Sequence, residues 1–166
     1  TLVTYTIDNT VPTVAITRNG SDPTKANSLV FDVTFADNVS TDLNGITVGD
    51  FVVATSAGVT VTSTVVLGGS GLNRTVTVNG VTGDGTVGLV FDSGHGITDE
   101  AGNVLNTTPT TNESYTVDQT DPAVTSIVRV DSDPTNAASV DFTVTFGEAV
   151  TGVETADFGL DVTGVT

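Results

Sequence analysis

Residues 29–35 read LVFDVTF, with Leu29, Phe31, Val33 and Phe35 at every second position. A period of two is that of a β-strand with one buried face, so this stretch is read as a central strand. Its pattern returns as FTVTF at residues 142–146. The surroundings return with it. Ile16-Thr17-Arg18 matches Ile127-Val128-Arg129, and Ser21-Asp22-Pro23-Thr24 matches Ser132-Asp133-Pro134-Thr135. Asp50-Phe51 matches Asp157-Phe158, and TYTIDNTVP at 4–12 matches SYTVDQTDP at 114–122. A repeat of about 110 residues is too long for a solenoid turn and suits a β-sandwich domain. Residues 1–7 then read as the closing strand of a preceding repeat. Residues 8–120 read as a complete repeat, and 121–166 as the truncated start of a following one.

The composition narrows the function classes. Net charge is −16, with Arg18, Lys25, Arg74 and Arg129 the only cationic side chains besides one histidine. Such a chain repels phosphate backbones and anionic membrane surfaces, and it suits divalent cations. There is no cysteine, which excludes disulfides and cysteine–zinc sites. No apolar run reaches membrane-spanning length. The chain reads as a piece of a longer protein, with any export signal or anchor expected outside it.

Threonine and valine dominate and helix formers are scarce, which is β composition. In order, strands are expected at 2–7, 13–18, 29–35, 50–54, 59–67, 73–78, 86–91 and 113–117, and then the first three strands begin again. Pro12 ends the incoming linker because it cannot donate to a ladder. Gly68-Gly69-Ser70-Gly71 reads as a flexible turn, and residues 92–111 as a long loop without periodicity. Seven to eight short strands in about 110 residues predict an all-β, Ig-like Greek-key β-sandwich in tandem repeats, with a jelly roll as the alternative.

Four motifs together carry a resemblance. They are the Tyr115-Thr116-Val117-Asp118-x-Thr120-x-Pro122 linker, Ser132-Asp133-Pro134-Thr135-Asn136 before the Phe-x-Val-x-Phe strand, Val150-Thr151-Gly152-Val153 before Asp157-Phe158, and Asp99-Glu100-Ala101-Gly102-Asn103 before the last strand. The chain resembles, over its whole length, the tandem bacterial Ig-like repeats of large surface adhesins. The resemblance implies an extracellular, cell-surface stalk or filament of serial sandwiches, with calcium stiffening the joints. Residues 38–42 depart from the pattern at 149–152.

In this topology the loops gather at two poles. Asp8, Asp37, Asp42, Asp92, Asp99 and Glu100 are expected at the pole where the chain comes in. Asp22, Asp84, Asp118 and Asp121 are expected at the other, joined there by Glu148 of the next repeat. Asp8, Asp22, Asp37, Asp84, Asp92, Asp99, Asp118, Asp121 and Glu148 are therefore the candidate calcium ligands. Calcium takes six to eight oxygens, and clustered carboxylates repel until it binds. The opposing reading is that Asp, Asn, Gly and Pro only make turns.

Nothing points to catalysis. His95 is the single histidine, in Ser93-Gly94-His95-Gly96, without an evident oxyanion site. Asp99-Glu100 has no evident cleft for acid–base work. Thr60, Thr62 and Thr64 share one face, which is ordinary strand chemistry. The expectation is a non-enzymatic spacer whose partners are neighbouring repeats, with homo-assembly into filaments possible. A glycan- or protein-binding module is the alternative.

Overall fold

The structure is a computed structural model and describes residues 2–62 and 65–162. It is all-β, and it divides into two compact units, Thr1–Thr120 and Asp121–Thr166.

The first unit follows from its alternating stretches. β1 (Thr13–Arg18) pairs antiparallel with β2 (Ser28–Ala36), and Val14 and Ile16 face inward with Leu29, Phe31, Val33 and Phe35. After a 3-10 turn at Val48–Asp50 come β3 (Phe51–Thr55), β4 (Val59–Val61) and β5 (Val65–Ser70). Next are β6 (Asn73–Asn79), β7 (Val81–Gly83), β8 (Gly85–Phe91) and β9 (Tyr115–Val117). One sheet has the order β1-β2-β6-β5 and another β3-β8-β9, while β4 and β7 form a separate two-stranded ribbon. Four strands in the order first-second-fifth-fourth, facing third-sixth-seventh, is the arrangement of an Ig-like Greek-key sandwich once the ribbon is set aside.

The core lies between these sheets. Val76 and Val78 of β6 join the inward residues of β1 and β2, and they meet Phe51, Val87, Leu89 and Val117 from the other sheet. Tyr115 is 2% exposed. Its ring stands edge-on to Phe31 at 5.1 Å, and its hydroxyl donates to the Val30 carbonyl at 2.7 Å. A buried tyrosine needs such a partner for its hydroxyl.

Several details differ from the expectation. The β-branched run at 59–67 is two strands, because β4 pairs with β7 and β5 with β6. Gly68 and Gly69 belong to β5, and the turn moves to Gly71-Leu72. β7 occupies the short interval between two glycine turns. Residues 2–7 form no strand: Leu2, Tyr5 and Ile7 are 90%, 89% and 80% exposed. A strand requires a neighbour to take its backbone hydrogen bonds, and none of the described residues supplies one there. Thr64, expected beside Thr60 and Thr62, and residues 163–166, expected in a following repeat, lie outside the described residues.

The second unit holds β10 (Val124–Arg129) and β11 (Phe142–Phe146), paired antiparallel, and a 3-10 turn at Thr155–Asp157. No third strand follows in its described residues. In the first unit the third strand, β3, takes its hydrogen bonds from β8. No counterpart of β8 occurs among the described residues of the second.

Candidate metal centre

The site grows from three segments of the first unit that carry no sheet. Asp8 lies in the incoming segment, Asp37 just after β2, and Asp99 in the long loop between β8 and β9. That loop is not loose. Ile97 and Leu105 are buried in the core, and the Leu105 amide donates to the Ile97 carbonyl at 3.1 Å. The Thr98 backbone also exchanges hydrogen bonds with Asn44, at 2.8 and 3.1 Å, across the loop that follows β2. Gly45 permits this crossing. Its φ is +79°, and a Cβ there would come within 2.6 Å of the Gly96 carbonyl.

These anchors bring Asp8, Asp37 and Asp99 together, with one carboxylate oxygen of each within 4.8 Å of the others. A cation at roughly 2.3–2.6 Å from each ligand separates opposed oxygens by at most about 5 Å, so the spacing fits calcium.

Each carboxylate is aimed by its own loop. Asp8 Oδ1 accepts the Thr10 amide at 3.0 Å. Asp37 Oδ1 accepts the Val39 and Ser40 amides at 3.0 and 2.6 Å. Asp99 is 1% exposed; its two oxygens accept the Asn103 amide and the Asn103 Nδ2, both at 2.8 Å. Gly102, at φ +93°, allows the turn that returns Asn103 to Asp99. Asn103 Nδ2 also donates to the Asp8 carbonyl at 3.2 Å, and Asn38 Nδ2 to Thr10 Oγ1 at 3.1 Å. Buried Ser40 accepts the Glu100 amide at 3.2 Å. The incoming segment is thus laid against both loops.

What remains open is decisive. Asp8 Oδ2 and Asp37 Oδ2 are sealed from solvent and have no hydrogen-bond partner. A buried carboxylate oxygen without donor or counter-charge is costly. Two such oxygens beside a third carboxylate form a pocket that a divalent cation would satisfy.

Local hydrogen bonds favour the ionised forms of Asp37 and Asp99. The Ser40 and Val39 amides hold the Asp37 carboxyl below its usual value, against burial and the nearby Asp99 charge. Burial pushes Asp99 upward, but the Asn103 amide and the Asn103, Gly102 and Ala101 backbone together bring it below the usual value. A carboxylate whose folded-state pKa is depressed stabilises above its unfolded value, here 3.8, and that stability is lost as pH falls through the folded value. Stability, and any calcium-dependent part of it, is expected to be flat from neutrality to about pH 5 and to fall below about pH 4. Urea unfolding across a pH series checks this. A loss between about pH 7 and 5 would contradict it.

The other candidate ligands are placed differently. Asp92 accepts the Gly94 amide at 2.7 Å and remains exposed. Asp42 pairs with Arg74 at 3.3 Å, and the Glu100 side chain is exposed. Asp22 accepts the Thr116 amide and pairs with Arg18 at 3.2 Å. Asp84 accepts the Thr120 hydroxyl and the Gln119 amide, which hold its carboxyl below the usual value. Asp118 accepts the Thr120 amide at 3.2 Å. Asp121 and Glu148 are exposed in the second unit. Among the described residues, Asp8, Asp37 and Asp99 alone form a group with metal-ligand spacing. Asn103 and Ser40, which shape it, were not among the candidates. Fold and site together define an Ig-like sandwich with an acidic pocket at its incoming end. No protein-family description matches the chain, and neither does any curated protein or solved structure. No helix in the described residues is long and apolar enough to cross a membrane.

Proposed function

We propose that this chain is a non-enzymatic spacer from a long, exported bacterial surface adhesin or filament, built of tandem Ig-like repeats, in which calcium at Asp8, Asp37 and Asp99 locks the incoming linker onto the domain. One observation carries the reading: the pocket takes one ligand from the linker and two from loops of the sandwich. Occupancy would therefore fix the direction in which the chain comes into the domain. Without the ion, three carboxylates repel and the linker loosens.

The repeated sequence supports the tandem arrangement. Asp118 accepts the Thr120 amide as Asp8 accepts that of Thr10, so the same Asp-x-Thr turn stands at both linkers. The 3-10 turns Val48–Asp50 and Thr155–Asp157 are closed alike. Asp50 accepts the Thr47 amide at 2.6 Å, and Asp157 the Glu154 amide at 2.8 Å. Arg18–Asp22 and Arg129–Asp133 form the same i,i+4 ion pair. Neighbouring repeats of the same chain are the first partners of such a stalk. The strongly acidic surface suits an extracellular setting rich in divalent cations.

The chain has no cysteine, so two introduced ones can be labelled uniquely. Spin labels at Ile7→Cys and Glu100→Cys report linker orientation as a distance distribution. It should be broad in chelator and narrow in calcium. Identical distributions would reject the cation as the linker's lock.

A further inference from the structure

The outgoing segment is held by different chemistry. Gln119 Oε1 accepts the Gly83 amide at 3.1 Å, and its Nε2 donates to the Val81 carbonyl at 3.2 Å. The Lys25 and Ala26 carbonyls lie at 3.4 and 3.5 Å from the same Nε2. Its backbone amide donates to Asp84 Oδ1 at 2.6 Å, while the Thr120 hydroxyl donates to Asp84 Oδ2. Just before Gln119, the Asp118 amide donates to the Thr24 carbonyl at 3.0 Å and the Thr24 amide to the Thr116 carbonyl at 2.9 Å. The Gln119 side chain has two donors and one carbonyl acceptor, and both ends are engaged. Among the described residues here, no buried side-chain oxygen is left without a partner, in contrast to Asp8 and Asp37.

We infer that Gln119, Asp84 and Thr120 form a metal-independent clasp that fixes the outgoing linker to the sandwich. The inference deepens the spacer reading and rests on it. The domain then has two separate stiffening devices, at the two ends of β2: a cation pocket beside the loop after the strand, and a hydrogen-bonded clasp beside the loop before it. Calcium depletion releases the incoming linker and leaves the outgoing one in place. A stalk built this way softens at one side of each joint and does not come apart.

Residue-resolved hydrogen exchange on the full chain, in calcium and then in chelator, tests this. The Gly83 and Gln119 amides should exchange equally slowly in both conditions. In Gln119→Ala the Gly83 amide should exchange about tenfold faster in both, the scale of one lost hydrogen bond that held a linker down. Gln119→Glu keeps an acceptor for Gly83 and removes the donor to Val81. It should leave Gly83 slow and speed the exchange of residues 119 and 120. The clasp is overturned if Gly83 is unaffected in Gln119→Ala, or if the Gly83 and Gln119 amides of the unaltered chain become fast on chelation. Amides of Thr10 and Asn103 that ignore calcium, with Gly83 and Gln119 slow throughout, would sink the cation pocket and leave the clasp standing.

Discussion

Phe31→Ala is expected to destabilise the first unit by about 3–5 kcal/mol, the cost of emptying a fully buried aromatic site. Phe31 is 0% exposed and supports the ring of Tyr115, the inward anchor of β9. Removing it strips packing from both sheets at once. Domains of this size have only about 5–15 kcal/mol in total, so the variant should sit close to unfolding at room temperature. Phe142 stands at the matching sequence position in the second unit, where it is 48% exposed. Phe142→Ala should cost about 1 kcal/mol or less, since little packing surrounds it. Denaturant unfolding followed by far-ultraviolet circular dichroism, which reads the strands of both units, compares the two. Equal costs would contradict the placement of the core.

The second large effect is calcium itself. A ligand that binds only the folded chain stabilises it by RT ln(1 + [L]/Kd), about 2.7 kcal/mol at a hundredfold excess over Kd. Here the ion would also relieve repulsion among Asp8, Asp37 and Asp99 and satisfy two sealed oxygens. The melting temperature of the chain should therefore rise in calcium and return in chelator. Magnesium should do less, because it demands a near-ideal octahedron and dehydrates reluctantly. An equal response to both ions at low concentration would point to general screening of a highly acidic chain rather than to a pocket.

How far the sequence could be read depended on what each pattern encodes. Leu29, Phe31, Val33 and Phe35 alternate because one face of β2 is buried, so that strand was legible from period alone. The run at 59–67 has the same β-branched character, but period says nothing of partner. The switch from the β4–β7 ribbon to the β5–β6 pair was therefore invisible. Residues 2–7 alternate as well as any strand, yet alternation states a preference and not a neighbour. Loop topology placed Asp8, Asp37 and Asp99 at one pole together with Asp42, Asp92 and Glu100, but it did not single them out. The convergence it suggested was of Asp22, Asp84, Asp118, Asp121 and Glu148 at the other pole. What topology could not supply was which oxygens the backbone already uses. Asp22 and Asp84 resemble Asp37 in sequence, but Arg18 and the Thr116 amide engage one, and Thr120 and Gln119 the other. Gln119 escaped notice because a lone amide in a linker has no periodic signature. The nearest signal was Asn9, another amide at the matching place.

Thermal unfolding of Asp8→Asn beside the unaltered chain, each in calcium and in chelator, decides whether calcium binds among Asp8, Asp37 and Asp99. The substitution keeps the shape of the side chain and an oxygen for the Thr10 amide, and removes one charge from the pocket. The unaltered chain should gain stability from calcium and the variant should not. In chelator the variant should melt at or above the unaltered chain, since one of three repelling charges is gone. A variant that melts lower by the same amount in both conditions, beside an unaltered chain indifferent to calcium, would contradict it. Asp8 would then be a turn residue and the pocket no metal centre.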